Sequence, residues 1–316
     1  MIIDCDPGGD DAMELVLALQ SPELEIVGIT INSGDLNIGQ RTKNALRVVE
    51  LSGKNIPVFQ GAARRLVFAP LTGVPEHVED ANGLGNTLQK QPQPKISAQQ
   101  KPAAQFIVEI AKDHPGEITI VAEGILTNLA DAIRMDTTVV HNIKEVVVVG
   151  GALRVPGLIT PVAEPNVWVD PHAADLVFTT PSKVTMFGLD VTMKVVLPDG
   201  LMERIKNENP KYGPFVYSIS REYRDFQMKL FDTEGMIDIG AAAILYLLDS
   251  SLFKYKKGPV RVVTDGIARG QTIMPAYAFQ SQLPEWKGKP DVSAASEVDA
   301  ERYLKDYEAI MRWKPQ

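Results

Sequence analysis

The sequence predicts an α/β fold: an open, mainly parallel, Rossmann-like sheet flanked by helices, with a helical lid segment in the C-terminal half. Short β-branched runs alternate with helix-length segments over most of the 316 residues, the order that builds strand–helix–strand units and a parallel sheet. The run 145–149, EVVVV, is almost continuously apolar, as a strand buried on both faces must be. Chemically loaded segments also follow the predicted strands, at the sheet edge where open α/β folds bind their ligands.

The elements follow in order. Met1, Ile2 and Ile3 open a strand that ends near Asp4; Pro7, Gly8 and Gly9 supply a turn; and a helix begins near Asp10 and runs through the helix-forming stretch 12–20. Residues 25–31 (EIVGITI) read as the second strand, 40–51 as a helix closed by Gly53, and 57–59 as a short strand. Between 65 and 102, prolines and glycines without periodicity mark mostly loop, and long loops over such a sheet often cover a site. Helix 101–113, strand 118–122, helix 126–134, strand 145–149, helix 171–178 and strand 183–187 follow. Residues 198–246 read as largely helical, 260–264 as a strand and 298–311 as the last helix. No linker, internal repeat or low-complexity tract interrupts the chain, so residues 1–316 are expected to form a single domain.

Four aspartates, Asp4, Asp6, Asp10 and Asp11, crowd the opening DCDPGGDDA. Carboxylates held a few ångströms apart repel, and must take up protons or share a positive partner. Oxygen-only ligation by acidic side chains suits a hard ion, Ca²⁺ or Mg²⁺. In the strand–turn–helix reading Asp4 and Asp6 share a strand face, while Asp10 and Asp11 occupy the first helical turn, where free amides and the helix dipole favour negative charge. A helix cap alone needs one acid, not four. Cys5, the single cysteine, alternates away from these acids and reads as a packed small hydrophobe; standing alone, it excludes an intramolecular disulfide.

Forty acidic against thirty-two basic residues give a formal charge of −8, which argues against a nucleic-acid or anionic-membrane surface and favours a small neutral ligand. No apolar run reaches transmembrane length, and Met1 leads straight into the first strand without a signal-peptide pattern. A cytoplasmic protein is expected, with neither nucleic acid nor membrane as partner.

Four ordered motifs, the DCDPGGDDA opening, the GIT strand followed by a helix containing TKNALRV, the turn GILTNLA and the segment TPVAEPNVWVDPHAA, make the chain resemble the metal-dependent nucleoside hydrolases, the inosine-uridine preferring or ribonucleoside hydrolases. The resemblance runs over nearly the whole chain. It implies a Ca²⁺ ion at the carboxyl edge of the sheet and hydrolysis of the N-glycosidic bond of a ribonucleoside, releasing base and ribose, as in purine or pyrimidine salvage. On these positions it implies Asp6, Asp11, Asp238 and the main-chain carbonyl of Glu123 as metal ligands, and Asp6 as the general base that activates the metal-bound water. It further implies Asp10, Glu164 and Asn166 as ribose-binding residues, Asp4 as a supporting carboxylate, and a homodimer or homotetramer.

Departures from the family pattern bear on the substrate. Ile237 stands where relatives often carry a leaving-group histidine, Asp35 where a ribose-contacting asparagine is usual, and Leu158 where an asparagine faces the ribose 5′ end. Glu123 occupies a position that often carries an apolar side chain or Thr. Candidate leaving-group contacts are Tyr223, Arg224 and Lys229 on the lid helix and His77 in the long loop. Two other readings compete with the nucleoside hydrolase: a hydrolase of a different N-ribosyl metabolite, and a non-catalytic nucleoside-binding or sugar-binding protein. Retention of Asp6, Asp10, Asp11 and Asp238 argues against the second, because unused carboxylates packed together cost stability.

Overall fold

A computed structural model of the protein describes residues 1–33, 38–69, 83–84, 93–231 and 233–312. The strands are β1 (Ile2–Cys5), β2 (Gly28–Ile31), β3 (Val58–Gln60), β4 (Thr119–Ala122), β5 (Glu145–Val149), β6 (Val184–Phe187), β7 (Val196–Pro198), β8 (Gly235–Ile237), β9 (Phe253–Gly258), β10 (Arg261–Val262), β11 (Thr272–Ile273) and β12 (Val292–Val298). The helices are α1 (Gly9–Gln20), α2 (Ile38–Ser52), α3 (Ala103–Asp113), α4 (Thr127–Met135), α5 (Val139–Asn142), α6 (Pro165–Val169), α7 (Pro171–Phe178), α8 (Leu189–Thr192), α9 (Asp199–Glu208), α10 (Gly213–Phe231), α11 (Ala241–Leu248) and α12 (Ala300–Met311).

Eight strands form one sheet in the order β3-β2-β1-β4-β5-β6-β12-β9. All neighbours run parallel except β9, which lies antiparallel on β12 at the edge. Period-two alternation sends Ile3, Cys5, Ile29, Ile31, Val121, Val147 and Val149 into a core shared with α1, α2 and the C-terminal helices. Ile2, Ile120, Ala122, Val146, Val148 and Val184 point into a second core under α3, α4 and α7. Each such Ile or Val, fully buried, contributes about 1.5–3 kcal/mol, which explains why the valine run of β5 sits in the middle of the sheet. Strand order reverses between β1 and β4. Crevices form where adjacent crossovers leave on opposite faces, and the residues that follow β1 and β4 are the Asp cluster and Glu123.

The C-terminal half departs from the sequence reading. The segment expected to be largely helical from 198 to 246 contains α9, α10 and α11 but also β8, which pairs antiparallel with β7, Leu197 opposite Met236. Strand 260–264 shrinks to β10, paired with β11 outside the main sheet. β9, FKYKKG, escapes a hydrophobic pattern because its lysines protect an exposed edge; β12, VSAASEV, escapes because it is built of small residues.

Candidate active site

Four loops converge at the carboxyl ends of β1, β2, β4 and β5. Asp4, wholly buried, fastens the first three together: its Oδ1 accepts from Thr30 Oγ1 at 2.6 Å and Asn128 Nδ2 at 2.7 Å, and its Oδ2 from Asn32 Nδ2 at 3.1 Å. Burial raises its pKa to about 6, against the pull of those three donors. Asn128 Nδ2 also donates to the Ile31 carbonyl at 3.0 Å, and its Oδ1 accepts from the Ala62 amide at 2.9 Å. Asn32 Oδ1 accepts from the Ile125 amide at 3.2 Å.

Asp6 leaves β1 into the Pro7–Gly8 turn, which Asn44 of α2 holds by donating Nδ2 to the Pro7 carbonyl at 2.9 Å. The Asp6 amide donates to Asp11 Oδ2 at 2.8 Å, locking the turn to the first turn of α1. Gly124, just beyond β4, fits closely beneath: a Cβ there would lie 2.4 Å from Asp6 Oδ1 and 2.4 Å from Asn32 Oδ1. Glycine is required for the two loops to meet. Burial, followed by the charges of Asp6 and Asp10, pushes the Asp11 carboxyl well above the usual range.

Asp238 enters from the other side, between β8 and α11. Its Oδ2 accepts from Tyr303 of α12 at 3.0 Å and its Oδ1 from the Ala241 amide at 3.2 Å; burial pushes its pKa to about 6, with Asp10 a further charge acting on it. The Glu123 amide donates to the Asp4 carbonyl at 2.8 Å, and the Glu123 carbonyl accepts from Asn166 Nδ2 at 3.0 Å. Asn166 also donates to the Val149 carbonyl at 3.2 Å, so it ties β4 to β5. Glu164, wholly engaged as the N-cap of α6, accepts from the Asn166, Val167 and Gly151 amides at 2.9, 3.0 and 3.0 Å.

The structure thus brings Asp6, Asp10, Asp11, Glu123, Glu164, Asn166 and Asp238 to one rim. Tyr223 of α10 reaches the same place, its Cβ lying against the start of α1 at Gly9; burial, then the charge of Asp10, raises its pKa well above the ordinary value. Arg224 instead pairs with Asp199, at 2.8 Å through Nε, and with Asp225, and Lys229 points to solvent. Asp35 and His77 lie outside the described residues. Ile237 is buried, its amide donating to Gln227 Oε1 at 2.7 Å, so its position carries no titratable group.

Sequence reasoning placed Asn32 and Asn128 in segments at this edge without giving them a role, and it missed Glu14, Gln227 and Tyr303. Glu14 follows Asp10 by four residues and Asp11 by three, a helical spacing that would have placed it on their face; Gln227 follows Tyr223 by four in the same way. Nothing local marks Tyr303. Among the described residues, no group of three or more His, Cys, Asp or Glu side chains is placed to hold a metal ion by itself. Main-chain oxygen would have to complete a donor set. The donors present, carboxylates and a strand-end carbonyl, are those a hard cation takes.

The chain is similar to known proteins over most of its length. The chain is 36% identical over 322 residues to uridine nucleosidase 1 of Arabidopsis thaliana, covering 100% of this chain and 93% of that protein. It is 33% identical over 277 residues to the inosine-uridine preferring nucleoside hydrolase of Leishmania major, covering 87% of each. Among solved structures, a plant nucleoside hydrolase (PpNRh1) superposes with a TM-score of 0.93 at 32% identity over 98% of both chains. A purine-preferring ribonucleoside hydrolase from Gardnerella vaginalis superposes with a TM-score of 0.90 at 27% identity, over 98% of this chain and 97% of that one. The family model for inosine-uridine preferring nucleoside hydrolases matches residues 1–305, and with the acidic rim at the strand ends this establishes that the chain belongs to that family of N-glycosyl hydrolases.

Proposed function

We propose that the protein hydrolyses the N-glycosidic bond of ribonucleosides in a Ca²⁺-dependent reaction with Asp6 as general base. The observation that supports this reading is that Asp6 and Asp11, tied together by the Asp6 amide, meet the Glu123–Gly124 end of β4 where the strand order reverses, with Asp238 entering from the other side. Buried carboxylates that raise one another's pKa are in want of a cation, and oxygen-only donors fit calcium. Asp6, Asp11, Asp238 and the Glu123 carbonyl would hold it. When bound, the ion would act as a Lewis acid that makes a water easier to deprotonate.

The chain's own residues do the rest. Asp6 takes the proton of the attacking water. Asp10 holds ribose hydroxyls, and Glu164 and Asn166 line the sugar from α6, with the Glu164 cap fixing both in place. As the C1′–N bond breaks, its electron pair leaves with the base and positive charge grows on the ribose, where surrounding carboxylates stabilise it. With Ile237 unable to donate a proton, Tyr223 is the described leaving-group candidate that lies beside the start of α1, next to Asp10, and burial keeps its phenol protonated. The relatives' names point to uridine and inosine as the first substrates to try. Leu158, part-buried in the loop before Glu164, favours a second reading in which the substrate is a ribosyl compound altered at its 5′ end. A cytoplasmic homodimer or homotetramer completes the proposal; no described helix is long and apolar enough to cross a membrane.

Reducing-sugar release from inosine, adenosine, guanosine, uridine and cytidine, with and without chelator, tests it. Chelator-sensitive release from at least one supports the proposal; silence on all five with calcium bound shifts the weight to the altered substrate.

A further inference from the structure

We propose that Glu14 and Glu123 form a second position for a hard divalent cation, a two-carboxylate site beside the one assigned to Asp6, Asp11 and Asp238. Glu14 is 3% exposed and Glu123 4% exposed. Glu14 Oε2 and both carboxylate oxygens of Glu123 are buried without a hydrogen-bond partner. Their neighbours are treated differently: Asp4 accepts three hydrogen bonds, Asp238 two, Glu164 three, and Asp11 one from the Asp6 amide. Buried carboxylates are ordinarily paired or hydrogen-bonded, so these two leave open acceptors that a ligand would fill.

The surroundings select the ligand's charge. Glu14 stands one helical turn beyond Asp10 and Asp11 on α1, and Glu123 follows the end of β4 with its amide on the Asp4 carbonyl, so the residues around both are acidic. An anion or a neutral acceptor has nothing to bind there. The fold also makes room for the arrangement: a Cβ on Gly240, at the start of α11, would fall 1.9–2.0 Å from the Glu14 carboxylate atoms, so a larger residue there would push the Glu14 carboxylate from its present place. The two carboxylates come from α1 and from the end of β4, and two carboxylates with main-chain oxygen or water are a donor set that Mg²⁺ and Ca²⁺ accept.

The inference rests on the calcium reading only for the choice of ion. Titration of the chelator-stripped full chain with CaCl₂ by isothermal calorimetry tests it, on wild type, E14Q, E123Q and the double variant, with MgCl₂ as a second titrant. Two ions per wild-type chain and one per E14Q/E123Q chain are expected. One ion per wild-type chain overturns the second position and leaves the calcium reading standing; none, with either titrant, overturns both. Two ions in wild type and still two in E14Q/E123Q overturn the assignment to these residues. Melting curves in chelator add a readout that does not depend on activity: E14Q/E123Q melts higher than wild type and gains less from added Ca²⁺. A lower melting temperature for the double variant in chelator contradicts the proposal. Should the double variant not fold, the wild-type stoichiometry and the single variants still decide.

Discussion

The two sides of the site are built by opposite means. On the sugar side, Asp4 gathers Thr30, Asn32 and Asn128, Asn166 joins the ends of β4 and β5, and Glu164 is held by three amides. Nearly every polar group there is fixed by another that comes from a different strand. On the leaving-group side, one long helix, α10, presents Tyr223 and Gln227 against Asp10 and the buried Ile237. In the proposed reading a ribose is recognised by a rigid frame, whereas the wall facing the base rests on a few side chains along one helix. The first should tolerate almost no change, and the second should trade specificity for substitution.

Breaking the sugar-side frame should have the largest effect. Asp4→Ala leaves three buried donors without an acceptor, at about 1–3 kcal/mol each before relaxation; a loss of roughly 3 kcal/mol in urea unfolding is expected, with activity falling at least a hundredfold. A variant that unfolds like wild type would mean that Asp4 fastens nothing. On the opposite wall Tyr223→Phe removes one hydroxyl and keeps the ring. About a hundredfold fall in kcat, with a smaller change in KM, is expected if the phenol serves the departing base, the low end of a general-acid contribution. An unchanged kcat for every base would remove Tyr223 from the reaction. Leu158→Asn sharpens the comparison at the ribose 5′ end: an added polar contact should lower KM for an unmodified nucleoside by a few-fold, and a raised KM would favour the altered substrate. Arg224→Ala and Lys229→Ala mark the smallest effect, since Arg224 is committed to Asp199 and Asp225 and Lys229 to solvent. Surface pairs contribute about 0–1 kcal/mol, so turnover within twofold of wild type is expected for both.

The Asp cluster was legible in the sequence because its residues are contiguous and their pattern is local, whereas the asparagines that fasten Asp4, Asn32 and Asn128, come from 28 and 124 residues away. The Asp cluster lies on a strand–turn–helix whose ends are set by Pro7, Gly8 and Gly9, and 145–149 and 171–178 are found where the pattern places them. The C-terminal side was less legible for physical reasons. β8 has three residues and pairs with β7 across nearly forty positions, so neither periodicity nor length marks it. Tyr303 meets Asp238 from 65 residues away, and Glu14 depends on the missing side chain of Gly240; such contacts exist only once the helices pack. Arg224 shows the reverse case, a charged residue on a plausible helix face whose partner, Asp199, lies at the start of α9.

The most direct test of Asp6 as general base is the rate of uridine or inosine hydrolysis by wild type and Asp6→Asn at saturating Ca²⁺, with the variant's fold checked by circular dichroism. A native spectrum with turnover reduced at least about a thousandfold is predicted, the size expected when a general base that also binds the metal is removed. Turnover within tenfold of wild type would contradict the assignment of Asp6 and move the base to another carboxylate of the rim.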